Sequence, residues 1–392
     1  MSDNPLNVIL VRISGEIPIK SEPVRARWER LVLNRIRKKV DELGYVRHER
    51  GRIYVHTEKP HEVMEKLRTI FGISSLSPAA SCKPDLESIK KRALEVAKYY
   101  ITKMKREKNL DVKTFAIIAK KVISNKFGTT EVRYDVGAYI KENLNLQVNL
   151  DHPDLPLHIE VRRNEAFIYT EIIEGAGGIP VGVQEPVIVL YNGDRESTLS
   201  MWLMLKRGCP IIVTHFIVCP EKHYLKSLEK TAEDLLANWG EGLGKIYTID
   251  LQNIVSKITE KIPLEHQWIV LRKTMILAAE LIAEKEKAKA IVLGDKNPLL
   301  PDSLPVLRVL WTGAFPLYFP TLGLSSEDVD KLSRKIAIKP LALEYSEARC
   351  KLIEKMKQNA KILDVGKVSE YLSELGINKV FLREIISPKT SV

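Results

Sequence analysis

The sequence predicts an α+β N-terminal half followed by an α/β doubly wound parallel sheet. Up to residue 172 the strand and helix patterns are short and mixed, whereas after residue 186 continuous apolar strands alternate with helices. A stretch rich in glycine and proline, EGAGGIPVGVQEP, separates the two patterns and is typical of a linker. With 392 residues and 45% hydrophobic content, the chain is long enough for two or three domains, each with its own core.

The first 80 residues alternate between strand and helix patterns. Apolar residues at helical spacing predict the helices, and Gly44 and Gly72 end them. The segments are strand 7–13, helix 23–43, strand 52–56 and helix 62–71. This β-α-β-α order predicts a small ferredoxin-like unit.

Residues 81–172 form a second predicted α+β unit. It begins with a basic amphipathic helix, and it closes with two strands joined by a hairpin turn at RRNE. The segments are helix 85–108, strand 113–120, helix 129–144 and strands 145–150, 158–161 and 166–170.

Residues 187–392 are predicted to form one α/β domain, which a linker at 173–186 precedes. Its strands are apolar on both faces, as in a parallel sheet covered by helices. The segments are strands 187–191, 210–218, 245–249 and 290–293 and helices 225–239 and 266–285. Such sheets bind ligands beyond the carboxyl ends of their strands, which here places a site near Asn192, His215 and Gly294.

Positive charge is concentrated in the first half. The net charge is +11, and residues 1–180 hold 32 basic against 24 acidic residues. Residues 90–126 alone hold twelve basic and three acidic ones. A solvated helix face is the ordinary explanation, and a surface for RNA phosphates is the sharper one. The candidate RNA-binding residues are Lys20, Arg25, Arg27, Lys120, Lys121, Lys126, Arg162 and Arg163.

Several function classes lack their motifs. No apolar run is long enough to span a membrane, and the opening residues lack a secretory pattern. The four cysteines show no CxxC spacing, which predicts no metal site and suits a cytoplasmic protein. The GxxxxGK[ST], HExxH and GxSxG motifs and the zinc-deaminase motif are also absent.

The segment VIVLYNGDRESTLS, residues 187–200, joins a strand to a helix through a tight loop. Such a loop directs free backbone N–H groups at an anion. Gly193 permits close approach, and Ser197 and Thr198 can cap the helix or donate to a phosphate. An ordinary βα loop with an Asn-Gly turn is the alternative.

Three further segments match a known family. They are LVRISGEIPIKSEPVRARWERLVLNRI at 10–36, NLDHPDLPLHIEVRRNEAFIYTEIIEGAGGIPVG at 149–182 and MWLMLKRGCPIIVTHF at 201–216. In this order the chain resembles the tRNA 4-thiouridine synthetase, or tRNA sulfurtransferase, family. The resemblance implies a ferredoxin-like domain and a THUMP domain that bind tRNA, then a PP-loop pyrophosphatase domain of the adenine nucleotide alpha hydrolase type. It further implies that ATP, with Mg²⁺, adenylates O4 of a uridine and that a cysteine persulfide delivers sulfur to C4.

The same resemblance assigns site residues. The loop NGDRES at 192–197 stands where the family has SGGxDS, so that Asp194 replaces a glycine and brings negative charge into the phosphate cradle. Mg²⁺ or Arg195 would have to compensate for this charge. Glu196 and Cys350 take the catalytic positions. The implied ATP-binding residues are Leu190, Tyr191, Asn192, Gly193, Arg195, Ser197, His215, Phe216, Arg272 and Gly294.

Three functions follow as alternatives. The first is an ATP-dependent tRNA uridine 4-sulfurtransferase. The second is a catalytically degenerate tRNA-binding homologue that acts as a chaperone or partner subunit. The third is sulfur transfer for thiamine biosynthesis. The family's rhodanese domain is not recognisable in the sequence, so the resemblance implies that sulfur comes from an external sulfur-donor protein or directly as sulfide. It also implies a homodimer.

Overall fold

A computed structural model describes residues 4–49, 52–121, 127–219, 222–294, 303–336, 351–361 and 363–386. The chain divides into two compact units, residues 1–178 and 179–392. The division falls inside the stretch predicted as a linker, where Ala176, Ile179 and Val181 are nonetheless buried. Among the described residues, no helix is long and apolar enough to cross a membrane.

The described part of the first unit contains one nine-stranded sheet with helices packed against it. The strands are β1 (Val8–Ile13), β2 (Tyr45–Glu49), β3 (Arg52–His56), β4 (Ile73–Cys82), β5 (Thr114–Lys121), β6 (Gln147–Val148), β7 (Leu155–Val161), β8 (Ala166–Tyr169) and β9 (Ile173–Glu174). The helices are α1 (Glu22–Val40), α2 (Pro60–Leu67), α3 (Leu86–Lys108) and α4 (Thr129–Leu144). The strand order is β2-β3-β1-β4-β8-β7-β5-β6, and β9 pairs with β4.

Strand β4 joins the two predicted α+β units into one sheet. Its residues 73–79 pair with β1, and Ala80–Cys82 pair with β8. The sequence analysis did not predict this strand, because ISSLSPAASC is rich in small residues and contains a proline, which are poor strand formers. Ala79 and Ala80 are fully buried, so small side chains suit a strand that is packed on both faces.

Several predicted boundaries in the first unit were wrong, and two of them have a local physical reason. Helix α2 begins at Pro60, because a proline in the first turn lacks only an N–H group that the helix does not use. The strand predicted at 145–150 shrinks to two residues. Asn145 ends α4 with a left-handed φ of 53°, and the Asn149 side chain bonds the next turn at Asp151 and His152.

The second unit is built on five parallel strands in its described part. They are β10 (Val187–Leu190), β11 (Ile211–Ile217), β12 (Gly244–Asp250), β13 (Ile291–Leu293) and β14 (Leu317–Tyr318), in the order β12-β11-β10-β13-β14. The helices are α5 (Arg195–Lys206), α6 (Lys222–Trp239), α7 (Gln252–Lys261), α8 (Leu264–Glu286), α9 (Ser303–Leu310), α10 (Ser326–Lys335), α11 (Lys351–Gln358), α12 (Val365–Glu374) and α13 (Lys379–Ile385). The predicted doubly wound sheet is confirmed.

The strand order creates a switch point beside β10. The chain proceeds from β10 to β11 and β12 on one side, then crosses to β13 on the other. Leu190, at the end of β10, lies in register with Thr214 on β11 and Leu293 on β13. The residues that follow these three positions therefore meet at one carboxyl edge, where such sheets bind their ligands.

A buried carboxylate connects strands β3 and β7 in the first unit. Glu160 is 2% exposed and accepts hydrogen bonds from Arg52, at 3.2 and 3.3 Å, and from Arg162 Nε, at 2.9 Å. Burial alone would raise the pKa of Glu160, but the two guanidinium groups outweigh it and lower the pKa.

We expect Glu160→Gln to reduce the free energy of unfolding by about 2–4 kcal/mol near neutral pH, because two guanidinium groups lose their counter-charge. A carboxylate with a lowered pKa stabilises the fold above its unfolded-state pKa, and this contribution disappears as the pH falls through the folded-state value. The difference between wild type and variant should therefore shrink on acidification in urea titrations. Glu142→Gln, on the exposed face of α4, is the matched control. A pH-independent difference would contradict this account.

Candidate functional site

The candidate site is the loop between β10 and α5 at the carboxyl edge of the second unit. Leu190 and Tyr191 are buried, and the exposed Asn192 follows them. Gly193 has a φ of 83°, a left-handed conformation in which a side chain would be strained. The glycine thus turns the chain directly from the strand into the first turn of α5.

Asp194 caps the N-terminus of α5. Its Oδ1 accepts a hydrogen bond from the Ser197 backbone N–H at 2.7 Å, and its Oδ2 accepts one from Asn192 Nδ2 at 2.8 Å. The Ser197 hydroxyl donates to Asn192 Oδ1 at 2.7 Å, and Thr198 Oγ1 donates to the Asp194 carbonyl oxygen at 2.7 Å. The expected capping by Ser197 and Thr198 is therefore wrong, because the aspartate takes that role. The Asp194 carboxylate therefore accepts a hydrogen bond from a backbone N–H group that could otherwise bind an anion.

Arg195 lies in the first turn of α5 and forms an ion pair with Asp330 on α10. Both side chains are about one-third exposed, at 33% and 36%. The sequence analysis proposed that this guanidinium offsets the charge of Asp194 toward a phosphate. In the structure it is instead engaged by a second carboxylate, 135 residues away in sequence.

Gly294 follows β13 and packs directly on the same helical turn. A Cβ atom at this position would lie 2.2 Å from Ser197 Cα and 2.6 Å from Ser197 N. Real Cβ atoms do not approach a backbone so closely, so only glycine permits this contact. Two glycines therefore determine the conformation of the loop: Gly193 in the turn itself and Gly294, which packs against the first turn of α5.

His215, on β11, holds the other side of the loop. Its Nδ1 lies 2.9 Å from the Tyr191 carbonyl oxygen, and because a carbonyl only accepts, Nδ1 carries the hydrogen and donates. Burial lowers the pKa of His215 more than this bond and Glu229 raise it. The imidazole is therefore neutral near pH 7 and acts here as a hydrogen-bonding group.

The remaining predicted nucleotide-site residues lie on three elements. Glu196 is half-buried in the first turn of α5, and Phe216 is buried on β11. Arg272 is buried on α8, with its guanidinium 5.6 Å from the centre of the Trp268 ring. The structure thus gathers the loop residues, His215 and Gly294 around one strand end.

The cysteines differ in the pKa of their thiols and in their bonding. Cys350 lies outside the described residues, so its predicted role stays a prediction. Burial raises the pKa of Cys82 to about 12 and that of Cys209 to about 11, which disfavours the thiolate that a nucleophile needs. Cys219, just beyond β11, is disulfide-bonded.

The predicted RNA-binding residues of the first unit fall into two groups. Lys20, Arg27, Lys120 and Arg163 are exposed. By contrast, Arg25 donates to Glu29 at 2.8 Å, and Arg162 is paired with Glu160. For Lys121 only the backbone is described, in β5, and Lys126 lies outside the described residues.

One residue that shapes the loop was not found from sequence. Asp330 lies on α10, an element that the sequence analysis did not predict, and no local pattern links it to Arg195. The Asp194 cap could have been found, because an aspartate three residues before a serine at the start of a helix is a common N-cap arrangement.

Fold and loop together define a protein with an α+β module ahead of a parallel-sheet domain of the nucleotide-binding type. Three family models match in the same order: the ThiI ferredoxin-like domain at residues 8–77, the THUMP domain at 83–171 and the thiamine biosynthesis protein ThiI at 182–374.

Relatives named probable tRNA sulfurtransferase match most of the chain. The protein of Thermococcus kodakarensis is 30% identical over 347 residues, covering 84% of this chain and 87% of the relative. That of Methanothermobacter thermautotrophicus is 31% identical over 336 residues, covering 84% of both. A crystal structure of a 4-thiouridine synthetase–RNA complex with bound ATP matches with a TM-score of 0.77, 25% identity and 97% coverage of both chains. The chain belongs to the tRNA sulfurtransferase family.

Proposed function

We propose that this chain is an ATP-dependent tRNA sulfurtransferase that converts a uridine of tRNA into 4-thiouridine. The observation that carries the proposal is the loop at 190–197, which opens a helix at the sheet's switch point between Gly193 and Gly294. Its support is the family membership and the likeness to a 4-thiouridine synthetase whose crystal structure holds RNA and ATP.

Three features around the loop suit a bound triphosphate. The backbone N–H groups of Arg195 and Glu196 lie in the first turn of α5, where the helix itself has no acceptor for them. Gly294 allows β13 to approach this turn without a side chain between them. Glu196 offers a carboxylate for Mg²⁺, which would offset phosphate charge. When bound, ATP would supply the adenylyl group that makes O4 of uridine a good leaving group.

Sulfur delivery is assigned to Cys350 in its reduced state. Its persulfide would attack C4 through the outer sulfur as AMP leaves, and a thiol reductant would then cleave the S–S bond to release 4-thiouridine. Cys82 and Cys209 do not compete for this role, because burial keeps both thiols protonated. We propose that a separate sulfur-donor protein loads the cysteine and that the chain acts as a homodimer in the cytoplasm.

One observation favours the second candidate function, a tRNA-binding homologue without ATP turnover. Asp194 places a carboxylate on the helix N-terminus, and Asp330 holds the nearest guanidinium, that of Arg195. Both contacts oppose a bound polyphosphate electrostatically. This candidate keeps the RNA-binding first unit and treats the second unit as a partner-binding scaffold.

The two candidates separate in a reconstituted reaction. The purified full chain is incubated with unmodified tRNA, ATP, Mg²⁺, a persulfide-charged sulfur-donor protein and a thiol reductant, and the nucleosides are analysed by mass spectrometry. The sulfurtransferase should produce 4-thiouridine and one AMP for each modified uridine. Binding of tRNA without AMP or 4-thiouridine would favour the second candidate, and absence of tRNA binding would contradict both.

We expect Asp330→Asn to tighten ATP binding about threefold to tenfold, because it releases the Arg195 guanidinium toward the phosphates. Isothermal titration with MgATP measures the effect. Arg195→Gln in the Asp330→Asn background should cancel the gain. An equal gain with and without Arg195 would show that the ion pair is not what limits binding.

A further inference from the structure

Thr321 is a fully buried polar residue in the turn between β14 and α10. Its Oγ1 donates a hydrogen bond to the Gly294 carbonyl oxygen at 3.3 Å. Gly294 is the residue whose backbone packs directly on Ser197 in the first turn of α5. A hydroxyl group from a distant turn therefore bonds the backbone on which the candidate phosphate loop rests.

The backbone pairing of β13 with β14 ends before it reaches Gly294. The last paired residues are Val292 and Tyr318. In the same register Gly294 would face Pro320, which has no backbone N–H group with which to continue the ladder. The side chain of the next residue, Thr321, bonds Gly294 instead. This hydroxyl therefore holds the end of β13 at the point where the ladder stops.

Gly294 passes the effect of this hydrogen bond on to the loop. A Cβ atom at Gly294 would lie 2.2 Å from Ser197 Cα, so the two backbones are in direct contact. Protein interiors are close-packed, so a displacement of Gly294 either moves its neighbour or opens a gap. The position of the N–H groups in the first turn of α5 thus depends on where Gly294 is held.

The segment that carries Thr321 also contacts the loop at a second point. The Thr321 carbonyl oxygen accepts a hydrogen bond from the Leu324 backbone N–H at 3.0 Å, and Ser325 then caps α10 with a capping box. Asp330 on α10 forms the ion pair with Arg195. The turn and α10 therefore hold the loop both through β13 and through α5 itself.

We propose that Thr321 is a positioning residue for MgATP. Its hydroxyl fixes the Gly294 backbone, and Gly294 in turn fixes the first turn of α5. Because Thr321 is fully buried, it acts through this backbone contact and not by touching the nucleotide. The inference rests on the proposed function for the identity of the ligand.

The test compares full-length variants that keep or lose the hydroxyl group. Thr321→Val removes the donor and leaves the buried Gly294 carbonyl without its partner. Isothermal titration should show MgATP binding about threefold to tenfold weaker than in wild type, because the binding-competent loop is less populated. Affinity for tRNA, measured by fluorescence anisotropy, should not change. Thr321→Ser, which keeps the hydroxyl, should restore MgATP binding.

Hydrogen–deuterium exchange gives a second readout that needs no ligand. The backbone amides of residues 195–200 should exchange faster in Thr321→Val than in wild type, since the first turn of α5 is held less firmly. Thr321→Ser should exchange at the wild-type rate. An unchanged rate in Thr321→Val, or a rate in Thr321→Ser as fast as in Thr321→Val, would overturn the inference.

Thr274→Val is the matched control. Thr274 is also fully buried, on α8, and its hydroxyl donates to the Val270 carbonyl oxygen at 2.9 Å. That oxygen also accepts the helix's own N–H group, so loss of the hydroxyl leaves it with a partner. MgATP affinity should stay within about twofold of wild type. Equal losses in Thr274→Val and Thr321→Val would overturn the proposal, because any buried threonine would then have the same effect.

A second pair of variants decides the matter if Thr321→Val does not fold. Thr321→Ser and Thr321→Ala differ only in the hydroxyl group, so weaker MgATP binding by the alanine variant supports the inference and equal binding overturns it. If wild type binds no MgATP, the proposed function fails. Exchange at residues 195–200 then decides the inference about the loop: faster exchange in Thr321→Ala than in Thr321→Ser supports it, and equal exchange overturns it.

Discussion

Asp194→Gly is expected to tighten ATP binding by about tenfold to a hundredfold. The substitution removes a carboxylate from the N-terminus of α5 and frees the Ser197 backbone N–H, which Asp194 Oδ1 now holds at 2.7 Å. One unit of negative charge near a polyphosphate opposes binding by on the order of 1–3 kcal/mol in a half-buried site. Isothermal titration with MgATP measures the change.

Asp194→Asn separates the two parts of this effect. Asparagine caps a helix about as well as aspartate does, so the Ser197 amide stays occupied while the charge is lost. A gain with both variants assigns the effect to charge, and a gain with glycine alone assigns it to the amide. Weaker binding in both variants would contradict the prediction and make Asp194 a ligand of the metal that accompanies ATP.

Gly294→Ala is expected to lower the free energy of unfolding by about 2–3 kcal/mol and to weaken ATP binding at least tenfold. The new Cβ would lie 2.2 Å from Ser197 Cα, a backbone atom, so β13 and the first turn of α5 must move apart. That movement displaces the N–H groups proposed to hold the phosphates. Urea denaturation and MgATP titration report the two effects.

Gly323→Ala is the matched control for this substitution. Nothing lies within 4 Å of a Cβ at Gly323, and its φ is not left-handed. This variant should behave like wild type in both measurements. An unchanged Gly294→Ala protein would mean that the turn of α5 tolerates displacement, and the loop could not then be a rigid phosphate site.

Local sequence patterns were sufficient for much of the architecture. The apolar segments that became β10 and β11 are buried on both faces, and such strands are recognisable without any knowledge of their neighbours. Strand β4 was missed because its small side chains reflect close packing on two sides, which is a property of the assembled sheet.

The position of the candidate site was predictable from the sequence, but the hydrogen bonds and ion pairs of its residues were not. The strand order places the loop, His215 and Gly294 at one edge, and the sequence suggested that placement. The carboxylates of Asp194 and Asp330, however, hold the Ser197 amide and the Arg195 guanidinium, two groups that could otherwise bind an anion. Asp330 reaches Arg195 from another helix. A contact between residues 135 positions apart leaves no local pattern for sequence reasoning to find.

The shared strand β4 has a consequence for how the first unit can be dissected. The ferredoxin-like and THUMP segments are matched by separate models that end and begin on either side of residues 78–82. Strand β4 nevertheless runs through those residues, and it pairs with β1 up to Ala79 and with β8 from Ala80. Cutting the gene there would leave each fragment with an unpaired strand edge, a surface prone to aggregation. The two segments should therefore unfold in a single cooperative transition.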